Sequence, residues 1–172
     1  MIIKRQIQKI VENSLFKNKI VIIYGARQVG KTTLIKQIQK NYISDSSYLN
    51  CDEIDVRQAL TDKTSTELKS FLGSKKLIII DEAQRVKNIG LTLKLIIDNF
   101  PKTQVIATGS SSFDLSNKIS EPLTGRKNEF YLYPFSLQEL KQIYSDLELN
   151  RLLEQRIIFG MYPEITLTQD DL

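Results

Sequence analysis

One short segment combines glycines, a lysine and a threonine at a spacing suited to binding phosphate: Gly25-Ala26-Arg27-Gln28-Val29-Gly30-Lys31-Thr32. It follows the pattern G-x-x-x-x-G-K-S/T. Glycines let the backbone wrap closely around an anion, so that successive amide N–H groups point inward toward phosphate oxygens. We expect the lysine to reach the β- and γ-phosphates of a nucleotide and the threonine hydroxyl to ligate Mg²⁺.

The elements that must position this segment are a strand before it and a helix after it. Residues 19–24 form a short β-branched run that predicts a buried strand, and residues 31–40 are helix formers. The N-terminus of that helix adds partial positive charge near the phosphates. The predicted phosphate site therefore extends from Gly25 to Thr33.

A second predicted strand, residues 76–80, ends in the acids Asp81 and Glu82. We expect Asp81 to hold Mg²⁺ through a water and Glu82 to orient and polarise the water that attacks the γ-phosphate. The chain has no histidine, which leaves Glu82 as the best candidate base. Together with the phosphate segment, these acids favour hydrolysis over nucleotide binding alone.

Polar residues also follow a third predicted strand, residues 104–108. Ligands of open α/β sheets bind at the carboxyl ends of the strands, so the hydroxyls of residues 110–112 are expected near the γ-phosphate. Ser110 is the first candidate for sensing that phosphate, and Thr108 is the second. Arg126, beside a glycine, is a candidate for stabilising the charge of phosphoryl transfer, within the chain or from a neighbouring subunit.

Composition excludes several classes of protein. The chain has 172 residues, of which 41% are hydrophobic and 26% are charged, as expected for one folded domain. No apolar run is long enough to span a membrane, and no N-terminal stretch suits a signal peptide. One cysteine and no histidine exclude an internal disulfide framework and argue against a zinc site. These features predict a cytoplasmic protein without a membrane partner.

The net charge of +4 gives only weak support for DNA as a partner, because it is unevenly distributed. Residues 1–40 hold nine basic side chains and one acid, and therefore carry +8. Part of this charge lies in the phosphate segment. We expect Lys4, Arg5 and Lys9 to form the exposed face of a first amphipathic helix over residues 2–14.

Strands separated by helix-length crossovers predict a parallel sheet covered on both faces, a three-layer α/β fold with a short helical tail. Residues 1–135 are expected to form the core, including the first helix, and residues 136–172 a helical extension. The remaining predicted strands are near 48–50 and 129–133, and the remaining predicted helices are 52–60, 65–72, 86–100, 136–146 and 148–159.

Six segments together resemble one family, the predicted ATPases of the AAA+ superfamily that carry a separate C-terminal domain of uncharacterised role in bacteria and archaea. The resemblance runs in order over nearly the whole chain, and its most selective part is the Thr-Gly-Arg loop that runs into Tyr-Pro-Phe-Ser. The segments are GARQVGKTTL (25–34), YLNCDE (48–53), LIIIDEAQ (77–84), VIATGSSSFDL (105–115), LTGRKNEFYLYPFSLQEL (123–140) and FGMYPEI (159–165).

This resemblance implies a P-loop NTPase fold with a five-stranded, mainly parallel sheet of order 5-1-4-3-2. It implies that the glycines of the phosphate segment, Lys31 and Thr32 bind ATP and Mg²⁺. It also implies that Asp81 and Glu82 form the acidic motif and that Ser110 occupies the position of the family's γ-phosphate sensor. It also implies a missing C-terminal domain or a protein partner. The second arginine motif of the usual AAA+ lid is not recognisable in residues 136–172.

The sequence therefore predicts an Mg²⁺-dependent ATPase core that converts ATP to ADP and phosphate and drives or switches a C-terminal domain or partner. The alternative is a nucleotide-gated binding module for protein or DNA with negligible turnover. A GTPase or small-molecule kinase is less favoured, because Asn117-Lys118-Ile119-Ser120 lacks the aspartate of the guanine-recognising N-K-x-D motif and no arginine-rich lid is present.

Overall fold

Five parallel strands form a single sheet in the computed structural model, which describes residues 2–110, 115, 118, 119 and 121–167. The strand order is β2-β3-β4-β1-β5, which confirms the predicted order, and all of the pairings are parallel. The strands are β1 (Ile20–Tyr24), β2 (Ser46–Asn50), β3 (Leu77–Asp81), β4 (Gln104–Gly109) and β5 (Lys127–Tyr131).

Helices connect the strands and cover both faces of the sheet. Capping boxes begin three of them, with Thr64, Ser136 and Ser145 as the N-cap residues. The α-helices in the described part of the chain are α1 (Gln6–Ser14), α2 (Lys31–Gln39), α3 (Ile54–Leu60), α4 (Ser65–Leu72), α5 (Ile89–Asn99), α6 (Leu137–Leu140), α7 (Asp146–Phe159) and α8 (Pro163–Leu167), with 3₁₀ turns at Lys40–Asp45 and Ala83–Arg85.

Three predicted helices differ from the structure by three residues or more at one end. The first begins at Gln6 rather than residue 2, because Arg5 has extended backbone angles. The helix predicted over 86–100 begins at Ile89, since the preceding Asn88 is left-handed with φ of 53°. The helix predicted over 136–146 is a single turn, α6, and α7 begins at Asp146.

The core lies on both sides of the sheet, as the three-layer prediction requires. The strands β1, β3 and β4 are buried along their whole length. Alternate side chains face opposite layers: Ile22 and Ile80 pack with α3, α4 and α5, whereas Ile23 and Ile79 pack with α1 and α2. Because all five strands run in the same direction, their carboxyl ends share one edge of the sheet.

A smaller cluster joins the two ends of the described chain. Ile3 packs with Phe135, Leu140 and Leu149, so the segment before α1 contacts the helices that follow β5. Within the described residues, the helices are too short or too polar to cross a membrane.

Candidate nucleotide-binding site

The phosphate loop follows β1 and runs directly into α2. Gln28 and Gly30 adopt left-handed backbone angles, with φ of 62° and 98°. Gly25 is required for a different reason: a Cβ atom there would lie 2.6 Å from the carbonyl oxygen of Leu132. The two glycines of the motif thus serve a tight turn and a close backbone approach.

Lys31, at the start of α2, turns its ammonium group back into this loop. Its Nζ atom donates hydrogen bonds of 2.9 Å to the carbonyl oxygens of Gly25 and Ala26. The residue is only 5% exposed, and this burial lowers the pKa of Lys31 from its ordinary value of 10.5, against the opposing effect of Glu82 and Asp81. A buried cation with only carbonyl acceptors here is well suited to an anionic ligand.

Asp81 accepts hydrogen bonds from hydroxyl groups on three other elements. Thr32 Oγ1 lies 2.8 Å from Asp81 Oδ2, and the Tyr48 hydroxyl lies 2.6 Å from the same oxygen. Thr108 Oγ1 donates to Asp81 Oδ1. The structure therefore brings together Thr32 and Asp81, the two residues predicted to hold Mg²⁺. The carboxylate is almost fully buried, at 3% exposure of the residue.

Tyr48, at the centre of β2, is a site residue that the sequence analysis missed. It lies in the segment YLNCDE, but no spacing rule assigns a role to a tyrosine there. It reaches Asp81 because β2 pairs with β3, with Asn50 opposite Asp81 in the register. Burial and the Asp81 carboxylate raise the pKa of Tyr48, which keeps its phenol protonated as a donor.

Glu82, Gln84 and Ser110 form a second hydrogen-bonded group at the same edge. The side-chain amide of Gln84 donates to Glu82 Oε2 and, at 3.0 Å, to Ser110 Oγ. The backbone N–H of Glu82 donates to Thr108 Oγ1 at 3.2 Å. Both predicted sensor residues therefore contact the acidic motif, Thr108 directly and Ser110 through Gln84. Residues 111, 112 and 117 lie outside the described residues.

Arg126 lies at the opposite edge of the sheet from the phosphate loop. Its carbonyl oxygen accepts a hydrogen bond of 2.9 Å from Ile20 N–H, at the start of β1, and its guanidinium pairs with Asp98 at 3.3 Å. The structure does not bring Arg126 to the loop of its own chain, because a residue that precedes a parallel strand lies at the amino edge. Its role from a neighbouring subunit stays a prediction. Arg27 is exposed on the loop itself.

The prediction that Arg5 lies on an exposed helical face is wrong. Lys4 and Lys9 are exposed as expected, but Arg5 is 8% exposed and precedes α1 rather than lying on it. Its Nη1 atom donates to the carbonyl oxygen of Val29 in the phosphate loop at 2.8 Å, and its Nε atom pairs with Glu139 at 3.1 Å. The Arg5 guanidinium is therefore stabilised in a buried position by Val29 and Glu139, which are distant from it in the sequence.

A cavity of about 280 Å³ lies beside the start of α2. Thr33 and Gly30 line it from the loop side, and mostly apolar side chains line the rest. Those side chains come from both ends of the described chain and include Ile2, Ile3, Phe135, Pro163 and Leu167.

Residues 17–141 match the family described as AAA domain. The chain belongs to the AAA domain family. An uncharacterized protein of Methanocaldococcus jannaschii is 33% identical over 179 residues, which cover 96% of this chain and 40% of that protein. A second uncharacterized protein of the same organism is 28% identical over 167 residues and is covered to 34%. The chain thus spans well under half of the length of these curated relatives.

Solved structures of P-loop proteins have the same fold as this AAA domain. The Walker-type ATPase of Pyrococcus abyssi has a TM-score of 0.65 at 18% identity, with 94% of this chain and 65% of that chain covered. The ORC2 protein of Aeropyrum pernix has a TM-score of 0.53 at 20% identity, with 92% and 51% covered. At these identities the likeness establishes the P-loop α/β fold. Family and fold together indicate nucleotide binding, and ATP hydrolysis is an activity of such proteins in general.

Proposed function

We propose that this AAA domain binds ATP and hydrolyses it to ADP and phosphate in an Mg²⁺-dependent reaction. The observation that carries the proposal is the 2.8 Å hydrogen bond between Thr32 Oγ1 and Asp81 Oδ2. It joins the phosphate loop to the acidic strand end across 49 positions of the chain. Both predicted halves of a phosphoryl-transfer site therefore meet at the carboxyl edge of the sheet.

The phosphate loop supplies the binding energy for the phosphates in this proposal. Lys31 exchanges its two carbonyl acceptors, Gly25 and Ala26, for phosphate oxygens, which bear full negative charge and form stronger hydrogen bonds. The backbone N–H groups at the start of α2 are free of helical partners and donate to the same anion. This exchange supports binding of a di- or triphosphate.

Thr32 and Asp81 would hold Mg²⁺. A hydroxyl and a carboxylate oxygen already within hydrogen-bond distance of each other are hard donors, and Mg²⁺ is commonly bound by one or two such groups together with phosphate oxygens and waters. When bound, the ion would neutralise the charge that develops on the β- and γ-phosphate oxygens.

Glu82 is the proposed base for the attacking water. Its backbone is left-handed, with φ of 54°, and it directly follows the buried end of β3. Gln84 donates to its carboxylate and also to Ser110. A carboxylate held in this way can accept a water proton while the Gln84 amide fixes its orientation.

The cavity beside Thr33 is the proposed site of the nucleoside base. Its lining is mainly apolar and includes the ring of Phe135, and a flat heterocycle is suited to such surroundings. It lies next to Gly30 of the phosphate loop, so that a base and its phosphates can occupy both sites at once.

The purpose of the ATP cycle is proposed to be switching of a C-terminal domain or a protein partner. The greater length of the curated relatives supports this proposal. A cytoplasmic location stays a prediction from the sequence, and DNA stays a weakly supported alternative partner.

A second candidate is a nucleotide-gated binding module with negligible turnover. The hydrogen bond from Gln84 to Glu82 favours it, because the Oε2 atom that accepts from the amide N–H has fewer lone pairs left to accept from a water. In that case Glu82 would report nucleotide occupancy instead of activating water.

The test measures ATP binding and steady-state turnover, with Mg²⁺ and with a chelator, for the wild type, Glu82→Gln and Lys31→Ala. We expect Glu82→Gln to lower turnover by about 10² to 10⁴-fold while ATP affinity stays within about twofold. Lys31→Ala should lose ATP binding. Glu154→Gln, the same change on an exposed part of α7, is the matched control and should behave as the wild type.

Three results would count against the proposed ATPase. If Glu82→Gln leaves ATP turnover unchanged, Glu82 is not the base that activates the water. Tight ATP binding with no measurable wild-type turnover favours the binding module. A wild-type protein that binds neither ATP nor ADP refutes nucleotide binding altogether.

A further inference from the structure

The buried guanidinium of Arg5 connects the phosphate loop to the segment that leads into α6. Nη1 donates to the carbonyl oxygen of Val29 at 2.8 Å, and Nη2 donates to the carbonyl oxygen of Tyr133. Nε donates to Glu139 Oε1 at 3.1 Å. The guanidinium carbon lies 4.7 Å from the centre of the Phe135 ring. The edges and one face of the planar group are therefore in use.

Backbone N–H groups from two segments of the chain fix the position of the Glu139 carboxylate. Its Oε1 atom accepts a second hydrogen bond from the backbone N–H of Gln6, at 2.8 Å. Its Oε2 atom accepts from the backbone N–H of Ser136, at 3.0 Å, as part of the capping box of α6. The side chains of Arg5 and Glu139 are only 7% and 6% exposed.

A buried ion pair is weak evidence for a gain in stability. Removing two charges from water costs about as much as their attraction returns, and apolar side chains of similar size often serve equally well. Apolar side chains, however, cannot bind a carbonyl oxygen. Only an arginine can make the contacts to Val29 and Tyr133, because its planar guanidinium donates to both backbone carbonyl oxygens while it also pairs with the Glu139 carboxylate.

The orientation of the Val29 carbonyl determines the orientation of the next N–H group in the phosphate loop. It belongs to the same peptide group as the N–H of Gly30, and in a trans peptide these two groups point in opposite directions. This peptide plane turns by rotation about ψ of Val29 and φ of Gly30, and Gly30, which has φ of 98° and no side chain, permits that rotation more readily than another residue would. Arg5 therefore holds the Gly30 N–H pointing away from itself.

We propose that Arg5 is a positioning residue for the phosphate loop: by holding the Val29 carbonyl, it keeps the Gly30 N–H turned toward the phosphates. The proposal rests on the nucleotide-binding function proposed above. Through Glu139 the same side chain ties the shape of the loop to α6, so that the phosphate site and the helices after β5 are linked by one buried group.

The experiment measures dissociation constants by titration calorimetry for two probes, ATP and inorganic tripolyphosphate, and thermal unfolding in parallel. Arg5→Lys retains a charge opposite Glu139 but lacks the fork. The double variant Arg5→Met with Glu139→Gln removes both charges, so that neither is left buried alone. Lys9→Met, an exposed position on α1, is the control.

We expect Arg5→Lys and the double variant to weaken binding of both probes by about tenfold or more, the effect of losing a hydrogen bond from a charged group. Lys9→Met should change neither. A purely structural role would lower the binding stoichiometry, because less protein is folded, while the dissociation constants of the folded fraction stay unchanged. That result overturns the inference.

Three further outcomes are decisive. If only ATP binding weakens and tripolyphosphate binding does not, Arg5 acts on the neighbouring cavity and not on the loop, and the inference is wrong. If the wild type binds neither probe, the proposed function fails and the inference fails with it. Wild-type binding with unchanged Arg5→Lys affinity overturns the inference alone.

Discussion

Removing one hydroxyl group tests whether Asp81 is held by its neighbours as the structure has it. In the Tyr48→Phe variant, the 2.6 Å hydrogen bond to Asp81 Oδ2 is lost. Thr32 and Thr108 still donate to the carboxylate, so the buried charge keeps two partners. The tyrosine ring also keeps its contact with Lys36, whose Nζ lies 5.2 Å from the ring centre.

The size of the effect follows from these contacts. A hydrogen bond to a charged group contributes about 1.5 to 3 kcal/mol. Tyr48 is partly exposed and water can replace part of the interaction, so the lower end applies, about 1.5 kcal/mol. For a chain of 172 residues this corresponds to a melting temperature lower by roughly 3 to 6 °C.

Urea unfolding followed by circular dichroism measures this difference, with an unchanged dependence on urea concentration as the check on two-state behaviour. Tyr133→Phe removes the same hydroxyl from a residue that is 70% exposed, and it should change the unfolding free energy by less than about 0.5 kcal/mol. If Tyr48→Phe is as stable as Tyr133→Phe, the Tyr48–Asp81 hydrogen bond does not exist in solution and the description of the acidic centre is wrong.

Two further predictions concern the loop. Because burial lowers the pKa of Lys31, raising the pH toward the ordinary value of 10.5 should weaken tripolyphosphate binding, as the ammonium loses its proton early. Tripolyphosphate affinity that stays unchanged up to that pH would contradict the role of Lys31 as a phosphate ligand. In the same range the unfolded chain binds more protons than the folded chain, so without ligand the contribution of Lys31 to the free energy of unfolding rises with pH. Gly25→Ala should cost about 1 to 3 kcal/mol and also weaken nucleotide binding, because its Cβ would meet the Leu132 carbonyl at 2.6 Å. Gly125→Ala, strained at φ of 74° but at the opposite edge, should lose stability alone; equal loss of affinity in both variants would refute the local explanation.

Much of the fold could be predicted because the relevant patterns are local. The strand predicted at 19–24 is Ile20–Tyr24, and the one predicted at 104–108 is Gln104–Gly109. Short apolar runs between polar segments have few ways to bury their side chains other than as central strands. The bounds of α6 could not be predicted, because no glycine or proline follows its single turn and the chain continues through turn hydrogen bonds such as that from Gln142 N–H to the Glu139 carbonyl.

The charged residues show why the site was only partly predictable. Arg5 and Glu139 are separated by 134 positions, and each looks in sequence like an ordinary surface charge. Arg126 lies near a glycine in a loop, as a catalytic arginine does, yet the strand that follows it puts it at the wrong edge for its own chain. Because Arg126 precedes β5 in the sequence, its position at the amino end of the parallel sheet could have been predicted.

The sequence by itself determined the phosphate loop, the acidic strand end and the parallel α/β fold, since each depends on residue types within a few positions of one another. Only the tertiary structure decided that Tyr48 and Thr108 share the Asp81 carboxylate and that Arg5 is buried against Val29. The physical reason is that the partners of a polar side chain depend on strand order and packing across the sheet. Burial makes those distant contacts necessary, because a buried carboxylate needs hydrogen-bond donors and a buried guanidinium needs acceptors, whichever residues the fold brings near.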